Sequence, residues 1–276
     1  MINAVGNRMM IEINRQQSLA RAIADTQVKV STGRKIQRAS DDPVAAARVA
    51  TIARSQANNK AWSVNLDTGL SLNSQADTAV SGMADHMGKA RELMLAGANG
   101  ALSPADRQTL ATQLDGLATE LDGLAGRLAA NGQPLFSPGT ALSVRYDATT
   151  ILAPVPSLAQ VFDVGGVSLS QMTRDAATAL RSGTPAAISA SLSTLDTGIS
   201  HTADTLGDIG QRGARLQSLQ EASRTQDIDF GAERSNLEST DLSEAIALLN
   251  AQTLTLDAAQ AAFARINRRT LFDVLS

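Results

Sequence analysis

The chain has 276 residues, 43% of them hydrophobic but only seven aromatic, with no cysteine and a formal net charge of −3. Disulfides and thiolate metal sites are excluded, and a near-neutral balance whose Lys and Arg are not interleaved with aromatics argues against a nucleic-acid partner. No run of about 18 apolar residues occurs, so no membrane insertion is expected, and Glu12, Asn14, Arg15, Gln16 and Gln17 interrupt any apolar stretch a secretory leader would need.

The first segment, residues 1–40, carries Ile2, Val5, Met9, Leu19, Ile23 and Val30 on one register of threes and fours. Such a stripe repeats every 3.5 residues and marks a coiled-coil seam. The spacing predicts a helix over 4–32 that stops at Gly33, where glycine takes the left-handed cap. Rod helices are expected over 41–132. Ser40-Asp41-Asp42-Pro43 gives an N-cap and a proline at the first helical position. From Val44 to about Ala98 there is almost no breaker, and a continuous helix there spans roughly 80 Å at 1.5 Å per residue. Its later part keeps a stripe at Val80, Met83, Met87, Ala90 and Met94, read as seam packing with an adaptable partner face as the lesser alternative. Ser103-Pro104-Ala105-Asp106 starts the next helix, whose stripe is Leu110, Leu114, Leu117, Leu121, Leu124 and Leu128, closing at Asn131-Gly132.

Residues 133–168 break the pattern with prolines and glycines between short β-like runs, Leu142–Tyr146 and Gln160–Val164. They predict a small β-hairpin insertion at the distal tip. A return segment over 169–225 comprises a short helix to about residue 181 and a long one striped by Ile188, Leu192, Leu195, Ile199, Leu206, Ile209 and Leu216. Thr225–Thr240 reads as a connector. The last segment, 226–276, is striped by Leu242, Ala245, Leu249, Leu256, Ala259, Phe263 and Ile266. Charge pairs the two ends: residues 1–38 hold seven Arg or Lys against two acids, and 227–244 hold six acids against Arg234 alone. The cluster Lys29, Arg34, Lys35, Arg38 meets those acids if the terminal helices run antiparallel. The expected fold is therefore mainly α, an elongated antiparallel helical bundle or coiled coil with paired terminal helices and a small β insertion.

No catalytic constellation emerges. His86 and His201 lie alone in long predicted helices, without the partners that triad or metal chemistry requires. Asp227, Asp229, Glu233, Ser235 and Glu238 imitate a calcium loop, but Gly231 falls where a ligand belongs and Ala232 where the glycine belongs. An acidic face opposite the basic cluster explains them better. No catalytic residue, metal or cofactor is expected, and the reading is a building block rather than an enzyme.

Val30-Ser31-Thr32-Gly33-Arg34-Lys35, followed by Ser40-Asp41-Asp42-Pro43-Val44-Ala45-Ala46-Ala47, resembles the N-terminal signature of the bacterial flagellin superfamily. Pro43, Asn7-Arg8-Met9-Met10, and Asn99-Gly100-Ala101-Leu102-Ser103 with Asp106-Arg107 and Leu110-Ala111 are more similar to its hook–filament junction members than to filament flagellins. Asp227-Ile228-Asp229-Phe230 resembles the superfamily's acid-x-acid-aromatic step, and Leu271-Phe272 the junction members' ending. The resemblance covers about 1–132 and 185–276; the middle departs from the larger outer domains of the family.

The resemblance implies a structural flagellar subunit at the junction of hook and filament, extracellular and exported unfolded by the flagellar type III pathway. Its implied partners are hook-associated protein 1, flagellin, further copies in a ring, and an export chaperone expected on Leu249, Leu256 and Phe263. In the family the paired terminal helices form an inner tube and are disordered in free subunits. The assembly interface is expected at Ile2, Val5, Met9, Leu19, Ile23, Val30, Leu242, Leu249, Leu256, Phe263, Ile266, Leu271 and Phe272. A filament-forming flagellin, and a cytoplasmic coiled-coil signalling or chaperone protein, are the alternatives.

Overall fold

The computed structural model describes residues 2–273, and the side-chain surroundings of residue 7 and residues 9–265. The chain forms two compact units, Met1–Gln56 with Ile228–Ser276, and Ala57–Asp227. Helices α2 (Pro43–Gly97) and α6 (Pro185–Glu238) contribute residues to both.

In the first unit, α1 (Ile2–Thr32) pairs with α7 (Leu242–Asp273). Helix α1 stops where Gly33 takes φ +67° and returns its N–H to the Lys29 carbonyl at 2.9 Å, because a left-handed residue there satisfies an orphan carbonyl. In the following loop the Asp41 carboxylate accepts the Gln37 and Arg38 N–H groups at 2.9 and 2.8 Å. Asp42 then caps α2 by accepting the Ala45 N–H at 2.9 Å, with Pro43 first in the helix. Ala45 and Ile52 are the buried apolar residues of α2 in this unit.

One expectation fails here. Residues 225–238 are the end of α6, and only Ser239–Asp241 separate it from α7. Gly231 is the one breaker in that stretch, and a mid-helix glycine costs about 1 kcal/mol against alanine, too little to end a long helix. Arg234 supports the last turn by its i,i+4 pair with Glu238 at 3.2 Å. The same continuity removes the calcium reading, since Asp227 to Glu238 lie within one continuous α-helix instead of a loop that wraps a cation.

In the second unit, α2 and α6 pack with α3 (Pro104–Ala125) and α5 (Leu169–Ser182). Val80, Met83, Met87, Met94, Leu114 and Leu121 are fully buried among Leu169, Leu180, Leu195 and Ile209. The methionine stripe is therefore core, not a partner face. Helix α3 opens with a reciprocal box: Ser103 Oγ accepts the Asp106 N–H at 3.2 Å, and the Asp106 carboxylate accepts the Ser103 N–H at 3.3 Å. Asp115–Arg181 and Asp122–Arg174 ion pairs join α3 to an antiparallel α5. Gly183, at φ +65°, caps α5.

Helix α3 ends at Ala125, not at Asn131-Gly132. The chain folds back there: the Leu135 N–H reaches the Arg127 carbonyl at 2.9 Å, and Gly132 takes φ +77° in the turn. Leu135 and Phe136 thereby enter the core, and Leu128, expected on the stripe, is 57% exposed. The Phe136 and Phe162 rings meet edge to face at 5.7 Å.

The insertion also differs from a single hairpin. Strands β1 (Val144–Arg145) and β2 (Ile151–Leu152) pair antiparallel, as do β3 (Asp163–Val164) and β4 (Val167–Ser168) about Gly165-Gly166. Between the ribbons a one-turn helix, α4 (Leu158–Phe162), takes part of the run expected to be extended. Nor does the insertion sit at a tip. Tyr146 packs on Leu66 and Leu216, and the Pro154 and Ala153 carbonyls accept from Asn73 of α2 and Arg212 of α6. The segment thus covers the flank of α2 and α6 that α3 is too short to reach. The ends of this unit's helices are instead joined by the turns Ala98–Ser103 and Gly183–Thr184.

Candidate assembly interface

Within the first unit, the paired faces of α1 and α7 are built from half-buried residues in steps of threes and fours. Leu19, Ile23, Thr26 and Val30 supply one face; Ala245, Leu249, Gln252, Leu256, Ala259 and Phe263 supply the other. Thr26 is 6% exposed, donates to the Ala22 carbonyl at 2.8 Å and lies 3.0 Å from the Gln252 side-chain amide. A stripe of apolar residues alone does not reveal this polar layer. The gap between Ile23 and Val30, and that between Leu249 and Leu256, mark its place.

Beyond the end of α1, the chain is stitched to the α6–α7 link. Arg34 and Ser239 form an isolated antiparallel bridge; the Lys35 N–H donates to the Glu238 carbonyl at 2.8 Å, and the Thr240 N–H to the Gly33 carbonyl at 2.9 Å. Arg34 binds the Glu238 carboxylate at 2.7 Å. Burial pushes that carboxyl up, but its hydrogen bonds to Arg34 and Arg234 more than offset this and hold it below the usual glutamate range. Arg48 of α2 grips Glu233 of α6 through two bonds of 2.6 and 2.8 Å, which lowers the glutamate. Lys29 and Lys35 line a shallow cleft with Asp241 and Glu244. The opposition of basic and acidic clusters is thus real in Arg34 and Glu238, and the Arg38 backbone N–H binds Asp41 within its own loop.

The predicted interface residues divide. Leu19, Ile23, Val30, Leu249, Leu256 and Phe263 lie half-buried on the pair, while Met9 and Leu242 are 42% and 48% exposed. Ile2, Val5, Ile266, Leu271 and Phe272 lie outside the residues whose side chains are described. The same two helices leave a second set of large apolar side chains in water: Met10, Ile11, Ile13 and Val28 on α1, and Ile246, Leu248 and Leu254 on α7. The histidines have local roles. His86 faces Glu120 at 3.3 Å, and His201 Nε2 is 3.1 Å from the Val161 carbonyl. Among the described residues no helix is long and apolar enough to cross a membrane.

Known proteins resemble parts of this chain. The model of the bacterial flagellin N-terminal helical region matches residues 3–140, half of the chain. Flagellar hook-associated protein 3 of Salmonella typhimurium is 27% identical over 122 residues, spanning 44% of this chain and 38% of that protein. A Vibrio parahaemolyticus protein assigned to the flagellar hook-associated proteins superposes with a TM-score of 0.66 at 18% identity, covering 72% of this chain and all of that one. The flagellar junction protein FlgL of Legionella pneumophila superposes with a TM-score of 0.56 at 13% identity, covering 70% of this chain and 100% of its own. Likeness at such identity concerns the fold. The match over residues 3–140 settles the affiliation: this chain belongs to the family of the bacterial flagellin N-terminal helical region.

Proposed function

We propose that the chain is a structural subunit of the bacterial flagellum that joins hook to filament, a hook-associated protein 3. The observation that carries this is its similarity to Salmonella typhimurium flagellar hook-associated protein 3, although the matched stretch spans only 38% of that relative. The uncovered apolar residues of α1 and α7 support an assembling subunit over a free one. Two helices that bury one stripe each gain little against a backbone ordering cost of roughly 1–2 kcal/mol per residue. Neighbouring copies supply the missing cover, so that assembly stabilises the pair.

On this reading the chain is not an enzyme. It is exported by the flagellar type III pathway and acts outside the cell, in a ring of its own copies between hook-associated protein 1 and flagellin. Before assembly an export chaperone covers Leu249, Leu256 and Phe263, because an exposed helical stripe takes a helical cover. Hooks lacking the junction protein provide the test: with purified chain added, flagellin should polymerise on them. Filaments built from the chain alone, at high copy number, would instead identify a flagellin. Growth on neither count refutes the proposal.

A further inference from the structure

In the second unit, one row of α2 repeats every seven residues: Asn59, Leu66, Asn73, Val80, Met87 and Met94, all at most 7% exposed. Its counterpart on α6 is Ser223, Leu216, Ile209, Thr202, Leu195 and Ile188, also spaced by seven. Two sets of hydrogen bonds fix which residue meets which. Asn59 Nδ2 donates to the Ser223 carbonyl at 2.8 Å, and Ser223 Oγ donates to Asn59 Oδ1 at 2.9 Å. Two positions along, Asn73 Nδ2 donates to the Ile209 carbonyl at 3.0 Å, and equally to the Pro154 carbonyl at 3.0 Å.

Apolar rows of equal spacing match equally well after a slide of one heptad, so leucine and methionine alone do not choose a register. The buried asparagines do. A slide one way sets Asn59 against Leu216 and Asn73 against Thr202. A slide the other way sets Ser223 against Leu66 and Asn73 against Leu216. Either separates the Ser223 hydroxyl from Asn59 Oδ1, a bond between two side chains that only the observed register makes, whereas backbone carbonyls are offered in every register. Sterics add to this. A Cβ on Gly213 would lie 2.6 Å from Asn73 Oδ1, so the amide needs that notch. The residues that replace Gly213 in the two slid registers are Leu206 and Gln220. Thr202 is the instructive contrast: its hydroxyl donates within its own helix, to the Ile199 carbonyl at 2.7 Å, and is indifferent to register.

We propose that Asn59 with Ser223, and Asn73 with its Gly213 notch, form a two-point lock that fixes the register of α2 against α6. Its role is to select one pairing, and the seam holds together without it. The lock is independent of the flagellar assignment.

Cysteine crosslinking of the full chain tests it, since the chain has no cysteine of its own. Gln220 Nε2 lies 2.6 Å from the Asp67 carboxylate, so D67C with Q220C reports the observed register under a short bis-maleimide, to which each cysteine thiol adds. K60C or S74C, each with Q220C, reports a slide of one heptad in either direction. In the otherwise unaltered chain only D67C should crosslink. With Asn59→Leu and Asn73→Leu together, helical circular dichroism should persist and crosslinks at K60C or S74C should appear. Asn59→Ser with Ser223→Asn should restore the single register at that layer. Crosslinking confined to D67C in the leucine variant overturns the proposal. So does loss of helical signal, because a lock without a stabilising role leaves the fold intact when removed.

Discussion

Tyr146 offers a perturbation whose sign can be worked out. Its ring is buried on Leu66 and Leu216, its hydroxyl has no hydrogen-bond partner, and a Cβ added to Gly69 would lie 2.5 Å from that oxygen, with ring carbons at 3.0 and 3.1 Å. Gly69→Ala gains about 1 kcal/mol of helix propensity but overpacks at a cost of about 1–3 kcal/mol. The net is a loss of about 0–2 kcal/mol. Tyr146→Phe deletes an unsatisfied buried hydroxyl and should be neutral or stabilise by about 1 kcal/mol. In the phenylalanine background the nearest obstacle is gone, and Gly69→Ala should turn neutral or favourable, a coupling of about 1 kcal/mol or more. For a unit of this size each kcal/mol moves Tm by about 2–4 °C, which thermal melts of the four chains resolve. A Tyr146→Phe loss above about 1 kcal/mol would mean the hydroxyl is bonded in solution and would refute the argument. Alkali gives a second reading, because Tyr146 is the only tyrosine. Burial pushes its phenol up to about 12. The stability it contributes is whole below the unfolded value near 10 and lost as pH rises toward 12, so phenolate absorbance should appear late and together with unfolding.

Further outcomes are expected elsewhere. Burial raises the Asp147 carboxyl, but hydrogen bonds from Thr149 and Thr150 bring it down to about 2. Its contribution to the β1–β2 turn is complete above about pH 4 and fades as pH falls toward 2, which the Thr149 and Thr150 amide shifts should report; a midpoint near 4 would contradict it. Ser103→Ala removes the box at the start of α3 and should cost about 1 kcal/mol in urea melts; no change would mean that Pro104 suffices. Leu256→Asp puts a charge on the paired face of α7 and should speed proteolysis of α1 and α7 while leaving the Tm of the second unit unchanged. A fall in that Tm would show that the two units melt together.

The helical parts of the fold were legible because their signals are local. Gly33, Asp42-Pro43, Ser103-Pro104 and Gly183 all punctuate helices at or beside the positions sequence suggests. The failures are places where distant packing decides. Thr225–Thr240 looks polar and loop-like, yet Glu233 and Glu238 find arginines and the helix continues. Leu128 fits the stripe of α3, but Leu135 and Phe136 compete for the same interior, and Leu128 yields. The insertion's position on the flank depends on α3 being shorter than the helices beside it, which no single stretch of sequence reveals. At the candidate interface the stripes of Leu19, Ile23 and Val30 and of Leu249, Leu256 and Phe263 were readable. Thr26 and Gln252 were hidden because their value lies in each other.

Between Pro138 and Ser143 the insertion is mostly exposed, and among the described residues its backbone makes no hydrogen bond to another segment. Lengthening a chain in such a stretch costs only slowly growing closure entropy. Extra sequence, even a whole appended module, fits at that point without disturbing the α2–α6 seam. The helical frame can therefore carry very different cargo on its side, so evolution or an engineer can redecorate the exterior while the interior stays unchanged.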